Sequence, residues 1–233
     1  MIIHPDISHE LRSPLARLKF AVRLARTSPD QGLALDRIER DVDRITSMVS
    51  ELVEITRAEG DPEARKFEIV NLEQVVKDIV SEERLDAEVR ECKLQVSGQV
   101  ERTLWGDPEL LRRAVANVVQ NAIRYSPARS TVEVVLEEDA DSATIKIRDH
   151  GPGVPEELLS QIFKPFFRAE DARDANSGGV GLGLSIAMRA IQLHQGAIRG
   201  ENANPGLRVT ITLPYLPSAE TTANQTFSKP VSV

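Results

Sequence analysis

Apolar residues at heptad spacing restrict how the first quarter of this chain can fold. Leu11, Leu15, Leu18, Val22 and Ala25 follow one another at intervals of four and three, as do Leu35, Ile38, Val42, Ile45, Val49 and Leu52. A stripe of that period lies along one side of an α-helix and is buried against another helix. The connection Ser28-Pro29-Asp30-Gln31-Gly32 has turn chemistry. Residues 6–59 are therefore expected to form an antiparallel helical hairpin. Two helices alone bury too little surface for a stable fold. A homodimer through residues 6–59, making a four-helix bundle, solves that.

Beyond Gly60-Asp61-Pro62-Glu63 the pattern changes. Lys66–Val70 reads as a strand, Asn71 as the cap of a helix over Leu72–Val89, and Lys93–Ser97 and Arg102–Trp105 as short strands. Asp107 caps a strong helix with Pro108 at its first position. Thr131–Leu136 and Ala143–Arg148 alternate as a hairpin across Asp139-Ala140-Asp141. A short helix over Glu156–Ile162 and a longer one over Gly183–His194 precede strands at Ala197–Glu201 and Leu207–Leu213. The expected architecture is an α helical hairpin over 1–59, a linker over 60–65, and an α/β two-layer domain over 66–214, with a mixed sheet and helices on one face. Residues 215–233, rich in Thr, Ser, Asn and Pro, read as a disordered tail.

Composition narrows the function classes. The 233 residues are 41% hydrophobic and 28% charged, which excludes a disordered chain. A net charge of −7 argues against non-specific nucleic-acid binding, which needs a basic surface. The single cysteine, Cys92, has no intramolecular disulfide partner and reads as a buried small hydrophobe. No apolar run reaches the roughly 18 residues of a membrane span. Met1–Asp6 lacks the charged lead and apolar core of a signal peptide. Helical signal begins near residue 6 without a lead-in, which reads as a segment cut from a longer protein, with Met1 and its neighbours added.

Four groups of residues carry chemistry. The first is Ser8-His9-Glu10-Leu11-Arg12-Ser13-Pro14-Leu15. With Leu11 at heptad position d and Leu15 at a, His9 falls at b, facing solvent. A neutral imidazole there has one ring nitrogen free as a nucleophile. Glu10 beside it can hold the other as N–H, and Pro14 should bend the helix one turn on. An ordinary surface histidine is the alternative for the residue taken alone. The second group is on the helix from Pro108, where Asn117 and Asn121 stack on one side, followed by Arg124 and Tyr125. Amide oxygens suit a hard cation such as Mg²⁺ and Arg124 suits a phosphate; two solvated amides are the alternative.

The third group is Asp149-His150-Gly151-Pro152-Gly153 at a strand end, where a carboxylate ahead of glycines can accept from a ligand amino group. Asp and Gly are also plain turn formers. Phe163-Lys164-Pro165-Phe166-Phe167 follows and could equally be core. The fourth is Ser177-Gly178-Gly179-Val180-Gly181-Leu182-Gly183-Leu184-Ser185, glycine-rich backbone feeding a helix N-terminus, which makes an anion site. It is neither a Walker A loop nor a dinucleotide fingerprint. The polar stretch Arg168–Ser177 before it has the character of a lid, or of a merely flexible loop.

In this order the four groups resemble a sensor histidine kinase of a two-component system, over residues 6–214, and the first box resembles that of envelope-stress sensors. Ser8–Leu15 looks like the H-box of the dimerisation and phosphotransfer domain, Asn117–Asn121 the N-box, Asp149–Gly153 the G1 box, Phe163–Phe167 the F-box and Gly179–Gly183 the G2 box. The resemblance implies that His9 is the phosphoacceptor with Glu10 as its acid–base partner. It implies that Asn121 ligates Mg²⁺ with Asn117 in support, and that Arg124 and Tyr125 face the phosphates and ribose of ATP. Asp149 would bind the adenine amino group, with Gly151 and Gly153 beside the ring. Gly179, Gly181, Leu182 and Gly183 would line the phosphates, within a GHKL ATP-binding sandwich.

The resemblance further implies a cognate response-regulator receiver domain as partner. It also implies placement on the inner face of a bacterial membrane, through segments outside this chain. Three positions depart from the pattern: Ser13 where threonine is common, which bears on phosphatase activity; Ile2–Pro5 before the H-box; and His194-Gln195-Gly196 where His-Gly-Gly is common. Two rivals remain at this point: a GHKL ATPase that drives conformational change without phosphorylating itself, and a non-catalytic scaffold that docks a receiver.

Overall fold

The computed structural model describes residues 5–27, single positions and short runs between 32 and 49, and residues 66–168 and 181–215. Helix α1 spans Pro5–Thr27 and stays helical through Pro14. The described positions between 32 and 49 are helical too. An ion pair between Arg17 Nε and Asp41 Oδ1, 3.4 Å, sets them beside α1. The described residues of the heptad stripes divide into two groups. Leu18, Ala25, Ile38 and Ile45 are half-buried, while Leu15, Val22, Leu35, Val42 and Val49 remain exposed in the single chain. Among the described side chains of α1 the most fully buried is Ala21, which lies off the stripe. The expected linker over 60–65 lies outside the described residues.

The α/β part is built largely where local chemistry places it. Strand β1 is Glu68–Val70. Asn71 caps helix α2, Leu72–Glu82, its side chain accepting from Gln74 N. The expected single helix to Val89 is interrupted. Glu83 flattens to ψ −2° and its carboxylate accepts from Gln120 Nε2 at 2.7 Å, and the chain continues as α3, Arg84–Val89. Strands β2 (Lys93–Gly98) and β3 (Leu104–Gly106) follow, and β3 pairs with β1 in a small antiparallel ribbon. Helix α4, Pro108–Tyr125, starts where Asp107 Oδ1 accepts from Glu109 N and Leu110 N.

The main sheet holds β2, β4 (Thr131–Glu138), β5 (Ser142–Arg148), β7 (Leu207–Pro214) and β6 (Ala197–Asn202) in that order. Only β2–β4 is parallel. Alternate residues of β4, β5 and β7, such as Val134, Ile145 and Ile211, are fully buried in one core with α2, α4 and helix α5, Gly183–Leu193. The other face stays open and carries cross-strand pairs such as Lys146–Glu137. Alternation on one face and solvent on the other is the expected signature of a half-covered sheet. The short helix expected after Pro155 is a 3₁₀ helix, Glu156–Gln161; none of its residues is fully buried, and Leu159 packs against the edge of the core.

Where the tail was expected to begin, Tyr215 still belongs to the domain. Its N–H donates to Asp141 O, its hydroxyl donates to Glu138 Oε2 at 2.8 Å, and the Arg102 guanidinium lies 3.8 Å over its ring. Among the described residues no helix is long and apolar enough to cross a membrane.

Candidate active site

Asp149 lies just beyond the end of β5 and is 4% exposed. Its Oδ1 accepts from Gly151 N at 2.8 Å and Leu207 N at 3.1 Å. Its other oxygen accepts no hydrogen bond among the described residues. Burial pushes the carboxyl above the ordinary carboxylate value, against the two backbone donors, which favour the ionised form. Gly151 touches the end of α4: a Cβ there would sit 2.4 Å from Tyr125 O. Gly153 takes φ +74°, in the left-handed region that glycine tolerates. His150 turns away from the Asp149 carboxylate toward the open face of the sheet. Its Nδ1 donates to Thr131 O at 2.8 Å, and its Nε2 stands 3.6 Å from Glu133 Oε1.

Helix α4 presents Asn117, Asn121, Arg124 and Tyr125 along one stripe. Leu111, Ala114, Val115, Val118, Val119 and Ala122 bury the other side. Neither asparagine amide makes a hydrogen bond among the described residues, and both are partly exposed. Two oxygen donors left over in this way fit a hard cation. The stripe meets the glycine-rich segment, since a Cβ on Gly183 would lie 3.0 Å from Asn117 Oδ1. Gly183 opens α5, whose free N–H groups and dipole favour an anion. Phe166 N–H donates to Gly181 O at 2.9 Å, tying the phenylalanine cluster to the glycines.

Among the expected ligand-lining residues, Leu182 can face a ligand only through its backbone. The Leu182 side chain is fully buried, and its carbonyl accepts from Ser185 Oγ and Ile186 N. It anchors the start of α5 and offers no side chain to a ligand. Gly179 and the expected lid beyond Arg168 lie outside the described residues. The backbones of His9, Glu10 and Ser13 are in α1, but their side chains lie outside the described ones.

The structure also adds residues that sequence reasoning missed. Gly206, with φ +90°, lies against the Asp149 backbone, and Leu207 donates to its carboxylate. Asn202 bonds the backbone of Val154. His194 accepts from Asp107 N through Nε2 and so joins the end of α5 to the start of α4. Asn204-Pro205-Gly206 has the composition of a turn, but composition does not say which loop a turn touches.

Residues 106–217 match the family of histidine kinase-, DNA gyrase B- and HSP90-like ATPases, and residues 5–61 match the His kinase A (phospho-acceptor) domain. The sensor histidine kinase CpxA of Escherichia coli is 39% identical over 211 residues, which are 90% of this chain and 46% of CpxA. The chain thus spans about half the length of that relative. Among solved structures, the mycobacterial sensor histidine kinase MprB is 31% identical with a TM-score of 0.55, over 66% of this chain and 100% of that one. Histidine kinase ThkA, solved in complex with the response regulator protein TrrA, is similar in fold at 21% identity. Its TM-score is 0.74, over 91% of this chain and 60% of that one.

Proposed function

This chain belongs to the sensor histidine kinases of two-component systems, and from that premise we propose that it phosphorylates His9 with ATP and passes the phosphoryl group to an aspartate of a response-regulator receiver domain. The observation that carries the reading is Asp149: a buried carboxylate with one oxygen held by two backbone donors and the other left for a ligand. A base amino group suits that second oxygen. The phosphates then extend toward Asn117, Asn121, Arg124 and the N-terminus of α5, with Gly181 and Gly183 allowing close approach. Mg²⁺, when bound, would neutralise phosphate charge, and Asn121 with Asn117 would supply amide oxygens to it.

The chemistry asked of the protein is positioning and charge neutralisation. One ring nitrogen of neutral His9 attacks the γ-phosphorus, the bond to the β–γ bridging oxygen breaks, and ADP leaves. Glu10 orients the imidazole through the other nitrogen and takes its proton. The receiver aspartate then attacks the phosphoramidate phosphorus, the N–P bond breaks, and Glu10 returns its proton to the ring so that His9 leaves as neutral imidazole. Ser13, one turn after His9, positions water for hydrolysis of the phosphorylated receiver.

We assign residues 1–59 to the phosphotransfer and dimer-forming part and 66–214 to the ATP-binding part. Exposed Leu15, Val22, Leu35, Val42 and Val49 support a homodimer, because they form the half of the stripes that the chain's own helices leave uncovered. ThkA, solved with its response regulator, supports the receiver as partner. The whole protein is proposed to sit at the inner face of a bacterial membrane.

Incubation with γ-labelled ATP and Mg²⁺ tests the reading. Covalent label on the protein is the expected result. Release of labelled phosphate alone would mean an ATPase that does not phosphorylate itself, and neither outcome would mean a scaffold.

A further inference from the structure

We infer that Asn202 is a positioning residue that sets the base-recognising loop at its working distance from Asp149; this rests on Asp149 being the carboxylate that meets the adenine. Asn202 ends β6, and its amide closes on both backbone groups of Val154. Nδ2 donates to Val154 O at 2.6 Å, and Val154 N donates to Oδ1 at 2.9 Å. A further bond runs from Nδ2 to Glu156 Oε1 at 3.1 Å. The loop lies flat on this amide: at Gly153, with φ +74°, a Cβ would fall 2.7 Å from Asn202 Oδ1.

The same β6–β7 turn holds the other end of the loop. Leu207 N donates to Asp149 Oδ1, and Asp149 N donates to Leu207 O at 3.0 Å. The turn is itself closed by Ala203 N donating to Gly206 O at 2.8 Å. Residues 149–154 are thus gripped at Asp149 by Leu207 and at Val154 by Asn202, with Gly151, Pro152 and Gly153 spanning between. The planar amide is suited to this because it carries a donor and an acceptor side by side, matching a peptide N–H and C=O. An aspartate would set a second acceptor against Val154 O and a charge beside Glu156. Two grips fix the distance from the carboxylate to the surface beneath the base, and with it the choice of base.

The full chain, as wild type, Asn202→Ala and Asn202→Ser, is assayed for affinity toward ADP and GDP and for KM and kcat of self-labelling with ATP and with GTP. Losing both hydrogen bonds to Val154, along with the one to Glu156, is expected to raise KM for ATP about tenfold in Asn202→Ala. The rate at saturating ATP should stay unchanged, and the preference for ADP over GDP should fall several-fold. Asn202→Ser, with one hydroxyl to satisfy one of the two groups, should fall between. An unchanged KM and an unchanged base preference in both variants would overturn the role. So would a loss of kcat with KM constant, which would mark a merely structural part. A wild type that binds neither ADP nor GDP would instead overturn the reading of Asp149, and the role of Asn202 with it.

Discussion

Gly206 packs so tightly on Asp149 that a Cβ placed on it would come within 1.9 Å of the Asp149 backbone oxygen. With φ +90° it also sits in a conformation that side chains resist. Backbone cannot yield as a flexible side chain can. Gly206→Ala is therefore expected to cost about 2–4 kcal/mol of stability and to weaken ADP binding, because the displaced turn carries Leu207, a donor to the Asp149 carboxylate. Urea unfolding and ADP titration measure both; a fully stable variant with intact affinity would contradict the packing.

The buried Asp149 carboxylate costs stability. Its carboxyl is raised above the ordinary value, first by burial. The folded state therefore binds that proton more tightly than the unfolded chain does. Stability falls as pH rises from the unfolded carboxylate value through the raised folded one, and at neutral pH the ionised group carries the full cost. Asparagine keeps an oxygen for Gly151 N and Leu207 N without the charge. Asp149→Asn is expected to melt at the same or a higher temperature than wild type at pH 7, with the advantage shrinking in acid. Its affinity for ADP should fall about ten- to a hundredfold, the worth of a charge-assisted bond. Calorimetric melting across pH with ADP titration reads both effects.

His194 is 2% exposed, and both of its ring nitrogens are bonded. Nδ1 donates to Ala190 O at 2.7 Å, and Nε2 accepts from Asp107 N at 2.9 Å, so the ring is neutral. It also stacks on Phe67 with centroids 5.1 Å apart. His194→Ala leaves the Asp107 N–H unpaired at the start of α4 and opens a cavity between two helices. A loss of about 2–4 kcal/mol is expected in urea unfolding. A loss below about 1 kcal/mol would mean the bridge contributes little.

Tyr215 gives a test at high pH. Burial, then its bond to Glu138, pushes its hydroxyl up to about 12. The contribution to stability is whole below pH 10 and is lost as pH rises from 10 to 12. Ultraviolet titration of the phenolates should show one late step that Tyr215→Phe removes. The variant should lack the corresponding loss of stability. A wild type without that late step would place Tyr215 in solvent.

What the sequence made legible was local. Asp107 followed by Pro108 marked the start of α4, and alternation marked β4 and β5, because caps and period-two burial are written in neighbouring residues. The break at Glu83 was not legible, since it involves Gln120, 37 positions away. Strand order was hidden for the same reason: nothing near Lys93 says that β2 lies parallel to β4. In the candidate site, Asp149 and the two asparagines were singled out by residue type. The inward turn of the Leu182 side chain was not legible, because a glycine-rich neighbourhood says nothing of where an apolar side chain within it points. Asn202 and Gly206 stayed invisible because their partners lie 48 and 57 residues away. The heptads predicted a helical pair, but only the pattern of exposure separates the half-buried residues from those left open.

That His9 receives the phosphoryl group is tested by the label retained by His9→Gln beside wild type after incubation with γ-labelled ATP and Mg²⁺. The wild type is expected to carry acid-labile, alkali-stable label, as a phosphoramidate does. His9→Gln should carry none while binding ADP as tightly as wild type. Label at the wild-type level in His9→Gln, or label stable to acid, would contradict the account.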